Sequence, residues 1–380
     1  MPVERTLPTE EARALLGLTR ELAQGELVPR VTEFERRAEF PREVFGTLGK
    51  AGLLGLPYPE EYGGGGQPYE VYLQVVEELA GAWLAVGLGV SVHSLACFPT
   101  AAFGTAEQRS QLLPGLLGGD LLGAYCLSEP QSGSDASAMT TRAVRDGDGY
   151  VLDGVKAWVT HGGRADFYLV FARTSAESRG ISCFLTPADT AGLRPQRPER
   201  KMGMAASPTA QIVLDGVRVP ADRRVGEEGA GYRIALSALD GGRLGIAACA
   251  VGLAQAALDY AVGYARERRQ FGRPIVEFQG LSFLLADMAT QVEAARALYL
   301  AAARRRDTGS AFRQQAAMAK LFCTDTAMRV STDAVQVLGG YGYVEDHPVE
   351  RYLREAKVLQ IVEGTNQVQR LVIGRALARG

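Results

Sequence analysis

The sequence is sparing with cysteine, histidine, asparagine and net charge, and each scarcity removes a class of protein. The five cysteines, Cys97, Cys126, Cys183, Cys249 and Cys323, are far apart, odd in number and never spaced C-x-x-C. That excludes a disulfide framework and a structural zinc site, and points to a reducing cytoplasm. The three histidines, His93, His161 and His347, are too scattered for a metal centre and read as surface or packing residues. No G-x-x-x-x-G-K-[ST] loop, H-E-x-x-H or G-x-S-x-G elbow occurs, which removes ordinary NTPase, zinc and hydrolase chemistry. G-x-G-x-x-G is also missing, so a dinucleotide, if bound, is not held in the Rossmann manner. Lys and Arg number 41 against 43 Asp and Glu, a net charge of −2, which offers no broad attraction for nucleic acid or an anionic membrane surface. The longest weakly charged stretch, Leu79 to Phe103, contains Gly81, Gly87, Gly89, His93 and Pro99, and reads as a buried helix with its flanking loop, so no membrane insertion is expected. Met1 to Arg20 is acidic and amphipathic where a secretory signal would be basic and then apolar. A single Asn, Asn366, and 36 Arg against 5 Lys fit a heat-tolerant protein and a biased genome composition equally well.

What is present divides into three textures, as a length of 380 residues leads one to expect. From Thr9 to about Gly119 the pattern is helical. Thr9 is placed to cap a helix opening on Glu10 and Glu11, Pro41 starts a run with Val44, Phe45 and Leu48 on one face, and Gly63 to Gly66 loop into Val71, Val75, Val76 and Leu79. From about Leu121 to Gly231 short β-rich runs alternate with turns. Asp146-Gly147-Asp148-Gly149 signals a hairpin between Ala143-Val144 and Tyr150 to Leu152. Further strands are expected at Phe167 to Ala172, Ile181 to Leu185 and Gln211 to Val219, with a bulge or turn at Asp215-Gly216. Strands without intervening helices predict an antiparallel barrel or sandwich. From Tyr232 to Ala378 long apolar stripes return, the clearest being Leu281, Leu284, Leu285, Met288, Val292, Ala295, Leu298, Tyr299 and Ala302. Others run through Ile246 to Tyr264, Ala316 to Leu338 and Val349 to Ile361, so an antiparallel four-helix bundle is expected. The domains read as 1–120, 121–231 and 232–380.

Four polar or glycine-rich segments interrupt otherwise apolar surroundings. They are Tyr125 to Asp135, Lys156 to Thr160, Asp240-Gly241-Gly242-Arg243, read as opening the first bundle helix, and Val362 to Gln367, which interrupts the last. Alone, each reads as a loop, a core tryptophan, a capped helix start and a surface glutamate. Their order and spacing, with Lys201-Met202-Gly203 through Ser207, Arg268 to Gly272, Gln336 to Gly342 and Arg354 to Lys357, resemble the acyl-CoA dehydrogenase family over essentially the full length.

That resemblance implies a helical N-terminal domain, a middle antiparallel β-barrel, a C-terminal four-helix bundle, bound FAD and a homotetramer built as a dimer of dimers. Flavin chemistry needs an apolar slot with donors aimed at the pyrimidine ring and N5, where reduction places negative charge. By resemblance Tyr125, Leu127 and Ser128 supply such donors, with Trp158 against the isoalloxazine and Thr160 near N5. Arg268, Phe271 and Gln279, with Gln336, Gly339 and Gly340 of a neighbouring subunit, hold the pyrophosphate and adenosine. Thr365 and Gln367 also contact FAD. Ser134, Asp240 and Arg243 position the CoA moiety, and Ser134 borders the cofactor as well.

The resemblance assigns Glu363 as the base that removes the proton alpha to the thioester while a hydride leaves the beta carbon for flavin N5, giving a trans-2-enoyl-CoA. A carboxylate in a dry pocket suits that task because desolvation raises its pKa toward the pH of operation. Electrons then pass to an electron-transferring flavoprotein. Isovaleryl-type relatives place the base on the helix of Asp240 to Arg243, where this chain has only Gly241 and Gly242. Glutaryl-type relatives carry an Arg where this chain has Val86, Gly87 and Leu88. Val362 and Ala205 depart from the family pattern, affecting pocket shape and local anchoring. Short or medium straight-chain, or small branched, acyl groups are expected. Two other classes fit the same fold: a flavin-dependent oxidase or monooxygenase, against which Glu363 counts, and an inactive CoA- or FAD-binding scaffold.

Overall fold

Thr9 caps the first helix, α1 (Glu10–Leu22), in a computed structural model that describes residues 3, 5–177 and 180–378: its hydroxyl oxygen accepts the Ala12 N–H at 3.1 Å. A π turn and a 3-10 turn lead into α2 (Val31–Arg37), and Pro41 precedes α3 (Arg42–Lys50), which buries Val44, Phe45 and Leu48 as the pattern predicts. The glycine loop delivers the chain to α4 (Tyr69–Ala82). Trp83 is extended for one residue, and α5 (Leu84–Phe103) and α6 (Ala106–Leu117) follow. By length and composition α5 and the later α7 (Gly231–Glu267) could cross a membrane, yet 89% and 72% of their apolar windows is buried inside the fold. They are core helices here, as expected for Leu79 to Phe103.

The middle strands are β1 (Gly123–Cys126), β2 (Arg142–Asp146), β3 (Gly149–Thr160), β4 (Phe167–Arg173), β5 (Ile181–Pro187), β6 (Leu193–Pro195), β7 (Thr209–Pro220) and β8 (Arg224–Val225). The β2–β3 hairpin turns at Gly147, and the bulge stands where Asp215-Gly216 oppose Asp153, whose carboxylate accepts the Gly216 N–H at 2.8 Å. The expectation of an antiparallel barrel needs correction on two points. The sheet runs β6-β7-β3-β2-β4-β5-β8 without closing, its ends held by strands of three and two residues that do not pair with each other. β1 lies parallel to β4, and β2 meets β4 in parallel at Arg142. Four residues, Gly-Ala-Tyr-Cys, are too few to show alternation, so β1 left no periodic signal.

The C-terminal bundle comprises α7, α8 (Gln279–Asp307), α9 (Arg313–Leu338), α10 (Val349–Leu359) and a fifth helix, α11 (Asn366–Leu377). Between α7 and α8 lies a small ribbon, β9 (Arg269–Gln270) and β10 (Arg273–Pro274), that the sequence pattern did not reveal. Asp240 to Arg243 does not open a helix. It lies inside α7, and its two glycines sit there because neighbouring groups occupy the space a side chain would need. The same device recurs along α7: a Cβ at Gly252 would overlap the Glu77 carbonyl of α4, and one at Gly245 would overlap Ser91 of α5. These close approaches press α4 and α5 onto α7, and one apolar cluster runs from α1 through to α10. Two smaller clusters lie against the sheet.

Candidate active site

Glu363 and Gly364 form a left-handed turn, φ +53° and +92°, in the link between α10 and α11. A non-glycine residue in that region is disfavoured, so surrounding contacts must hold it. The Gly364 carbonyl accepts from the Lys320 ammonium at 3.0 Å and from Gln369 Nε2 at 2.8 Å, and the Thr365 hydroxyl caps α11 by accepting the Val368 N–H. Both carboxylate oxygens of Glu363 are shut away from solvent, and neither has a hydrogen-bond partner. Burial pushes this carboxyl up to about 7, against the opposing pull of Lys320 and Arg243. An unsolvated carboxyl titrating near neutrality is suited to exchange a proton with a bound molecule.

Gly242 makes room for it. A Cβ there would overlap Glu363 Oε2 and lie 3.1 Å from Leu95 Cδ1 of α5. In an ordinary helix interior Gly→Ala gains about 1 kcal/mol. Here Gly242→Ala is expected to keep or raise the melting temperature while displacing the carboxylate, the flexible end of its side chain, and lowering kcat by roughly 10- to 100-fold. Paired thermal unfolding and turnover measurements check this.

Around this point the structure gathers Asp240 and Arg243, as the sequence grouping implies. Arg243 Nη1 donates to Asp240 Oδ1 at 2.6 Å, and Arg313 Nε donates to the other oxygen at 3.0 Å. Tyr69 donates to the Gly241 carbonyl at 3.0 Å, and the Arg306 guanidinium lies 3.4 Å above the Tyr69 ring centre. Tyr125 reaches from β1 to donate to the Ala235 carbonyl of α7 at 3.2 Å, and its hydroxyl, like that of Tyr69, feels the Glu363 charge.

A second group stands on the sheet. The Ser128 carbonyl accepts the Ala157 N–H at 2.8 Å, which lays Leu127 and Ser128 beside the β3 irregularity that carries Trp158. Trp158 has φ +60° and is 65% exposed, so it is not the core tryptophan that the segment alone suggests; Thr160 follows two residues on, paired with Thr209. Behind this ledge Lys156 and Glu129 form a buried ion pair at 2.8 Å, 0% and 1% exposed. Glu129 also accepts from Thr140 N, Thr140 Oγ1, Thr141 N and Gln131. Burial alone would push its carboxyl up, but the Lys156 charge and these donors hold it down at about 2. Ser134 is exposed on the same loop.

The third group is separate within this chain. Arg268 ends α7 and stacks over Tyr341 at 5.5 Å, Phe271 turns outward at φ +49° and 93% exposure, and Gln279 begins α8. Gln336, Gly339 and Gly340 lie exposed at the end of α9, and Gln367 is exposed on α11. Among the described residues no hydrogen bond or ion pair joins Arg268, Phe271, Gln279 or Gln336 to Trp158 or Glu363. A cleft of about 1470 Å³ lies elsewhere, between the N-terminal helices and the start of α10, and none of the predicted site residues lines it.

His93 and His161 are packing residues, fully buried and bracketing Gly123: His93 Nδ1 accepts its N–H at 3.0 Å and His161 Nδ1 lies 2.9 Å from its carbonyl. Sequence reasoning missed Lys320, Tyr69 and Arg306. Lys320 left one signal, a lysine inside the apolar series Ala316, Ala319, Cys323, Ala327.

Helices, an open sheet and helices thus enclose a dry carboxylate where α5, α7 and the α10–α11 link meet. Comparison with known proteins gives the family. Residues 9–120, 124–217 and 229–378 match the N-terminal, middle and C-terminal domains of acyl-CoA dehydrogenase. The chain is 44% identical over 375 residues to an acyl-CoA dehydrogenase of Bacillus subtilis, covering 98% of this chain and 99% of that one. It is 44% identical over 379 residues to the short-chain specific acyl-CoA dehydrogenase of Megasphaera elsdenii, covering 98% and 99%. Butyryl-CoA dehydrogenase from Megasphaera elsdenii superposes with a TM-score of 0.96 at 42% identity, covering 99% of this chain and 100% of that one. This chain belongs to the acyl-CoA dehydrogenase family. It is an oxidoreductase with acyl-CoA dehydrogenase activity, and a flavoprotein that binds FAD.

Proposed function

We propose that the enzyme converts a short or medium straight-chain, or small branched, acyl-CoA to its trans-2-enoyl-CoA with Glu363 as the base. The observation that carries this reading is the buried, unpartnered Glu363 carboxylate, given its space by Gly242 and raised by burial to about 7. In the forward direction the α C–H bond breaks and its proton goes to a Glu363 oxygen. The β C–H bond breaks with its electron pair, and the carbon–carbon double bond forms between them. FAD, when bound, supplies the acceptor for that hydride. The Glu363 backbone N–H stabilises the enolate-like thioester oxygen, and the closed surroundings keep water from competing for the proton.

The residues present fit that cofactor. An outward indole at Trp158, lying beside Ser128 and Thr160, offers a flat apolar face bordered by backbone and hydroxyl donors. Tyr125, Leu127, Ser128, Trp158 and Thr160 would hold the ring system. Arg268, Phe271 and Gln279, with Gln336, Gly339 and Gly340 of a second copy, would hold the pyrophosphate and adenosine, a division consistent with their separation within one chain. Thr365 and Gln367 would complete the cofactor site, and Ser134, Asp240 and Arg243 would orient CoA. The shared site requires at least two copies, the proposed assembly is a homotetramer, and its domains would run 1–120, 121–231 and 232–380. Electron-transferring flavoprotein is the proposed acceptor. In support, a solved chain described under the electron transferring flavoprotein of Acidaminococcus fermentans matches with a TM-score of 0.97 at 44% identity, covering 99% of this chain and 100% of that one.

A small acyl group is supported by the short-chain relatives, and Val86, Gly87 and Leu88, buried in α5, carry no charge to meet a distal carboxylate. A turnover screen over acyl chain length and branching, with a dye acceptor and product identification, tests it. Butyryl-, hexanoyl- or isobutyryl-CoA should lead and glutaryl-CoA should lag by at least about 100-fold, the order of effect of burying an unpaired charge. Preference for glutaryl-CoA or for acyl groups beyond about twelve carbons would refute the assignment.

A further inference from the structure

We propose that Lys320 of α9 is a positioning residue for the proton transfer, holding the Glu363–Gly364 turn from behind and setting a positive charge in the field of the carboxyl that receives the proton. The inference rests on Glu363 as the base. Lys320 is fully buried, and its ammonium donates to two neutral acceptors, the Gly364 carbonyl at 3.0 Å and Asn366 Oδ1 at 2.9 Å. Asn366, the only asparagine, is pinned in turn: its amide donates to Thr324 Oγ1 at 2.9 Å and to Asp325 Oδ1 at 2.7 Å. Lys320, Thr324, Asn366 and Gly364 thus form one hydrogen-bonded unit between α9 and the turn that bears the base.

Among the described residues no carboxylate lies within ion-pair distance of Lys320. Holding a carbonyl and an amide oxygen needs donors but no charge; a glutamine could serve, and burying an ammonium without an adjacent carboxylate is costly. The charge therefore calls for a second purpose, and the group that feels it is Glu363. Burial pushes the Lys320 ammonium down to about 7, with Glu363 and Asp325 pulling it back up and Arg243 opposing them. The groups facing Glu363 from the other packed elements differ in kind. Arg243 on α7 is engaged with Asp240, which Arg313 also contacts, while Cys249 of α7, Tyr69 of α4 and Tyr125 of β1 are uncharged at neutral pH. Arg306 of α8 stacks on Tyr69. Among the described residues neither Arg306 nor Lys320 has an ion-pair partner, but of the two it is Lys320 whose charge acts on Glu363 and whose ammonium holds the backbone carbonyl next to the base.

The test compares three holoenzyme variants: Lys320→Arg keeps the charge, Lys320→Gln keeps a donor without charge, and Lys320→Met keeps neither. Two readouts follow the base: the pH midpoint of kcat/KM, and the midpoint of the protonated-carboxyl infrared band that Glu363→Gln removes. Lys320→Gln and Lys320→Met should raise both midpoints by about one unit, the effect of losing one nearby cation. Lys320→Arg should restore them, and Lys320→Met should also lower kcat by roughly tenfold through a displaced turn. By reciprocity, Glu363→Gln should lower the Lys320 midpoint. Wild-type midpoints in folded, flavin-loaded Lys320→Gln would overturn the inference, as would an upward shift that Lys320→Arg fails to reverse. Should Lys320→Met not fold, Lys320→Gln decides. If Glu363→Gln itself retains turnover, the assignment of the base fails instead, which separates the two outcomes.

Discussion

Replacing Glu363 with Gln lowers kcat by about 10³- to 10⁴-fold, the upper range for removing a positioned general base, while the protein keeps its flavin. The substitution is nearly isosteric and leaves the turn's backbone bonds from Lys320 and Gln369 in place, so the loss is chemical and not structural. The same change should stabilise the fold at neutral and alkaline pH. Burial raises the folded carboxyl from 4.5 to about 7, so folding favours its protonated form. That contribution is intact below about pH 4.5 and is lost as pH rises through about 7, a span worth roughly 3 kcal/mol if fully expressed. Gln cannot ionise, so the variant should exceed the wild type by about 1–2 kcal/mol above pH 8 and by little below pH 5. Denaturant melts across that range check the sign; greater wild-type stability at high pH would show the carboxylate to be solvated or paired.

The second large effect concerns the ledge behind Trp158. Lys156→Met is expected to destabilise the protein by about 3–5 kcal/mol, because it leaves the Glu129 carboxylate buried opposite an apolar side chain. Glu129 organises its loop by accepting from Thr140, Thr141 and Gln131, while Lys156 also donates to the Leu127 carbonyl at 3.2 Å. Without the pair, Leu127, Ser128 and Trp158 lose their common support, so flavin content of the purified protein should fall at least about tenfold together with stability. Replacing both members, Lys156→Met with Glu129→Leu, should recover part of the stability, since no buried charge is then left unpaired, without recovering flavin. Equilibrium unfolding and the ratio of flavin to protein absorbance separate the two effects. The pair also predicts acid sensitivity. Glu129 titrates near 2 in the folded state, so the stability it lends is present above its unfolded value and is lost as pH falls toward 2.

Helices were the most legible part of the sequence, because apolar residues at three- and four-residue spacing recur over several turns. Thr9, Pro41 and the Gly63–Gly66 loop mark boundaries that the structure shows, and so does the β2–β3 hairpin turn. Legibility failed where tertiary contact decided the outcome. Gly241-Gly242 reads locally as a helix start, yet it lies in mid-helix, and the glycines are there because Tyr69 and Arg306 crowd Gly241 and Glu363 fills the space at Gly242. The parallel β1 and the open sheet carry no period of their own.

The candidate site was legible as motifs more than as physics. Of the six non-glycine residues with positive φ among the described residues, Trp158, Phe271 and Glu363 are three that the resemblance had already singled out as site residues. Backbone strain and residue identity thus agree on the same positions. The dryness of Glu363, the room left by Gly242 and the bond from Lys320 span more than forty residues of sequence, and no local pattern encodes them.

Anaerobic mixing of the oxidised holoenzyme with butyryl-CoA, unlabelled or deuterated at the α or the β carbon, tests the central claim most directly. The flavin absorbance should bleach as trans-2-enoyl-CoA forms, each deuterium should slow the bleaching, and the Glu363→Gln protein should bleach at least about 10³-fold more slowly. No bleaching by any acyl-CoA, or bleaching of Glu363→Gln as fast as the wild type, would contradict the account.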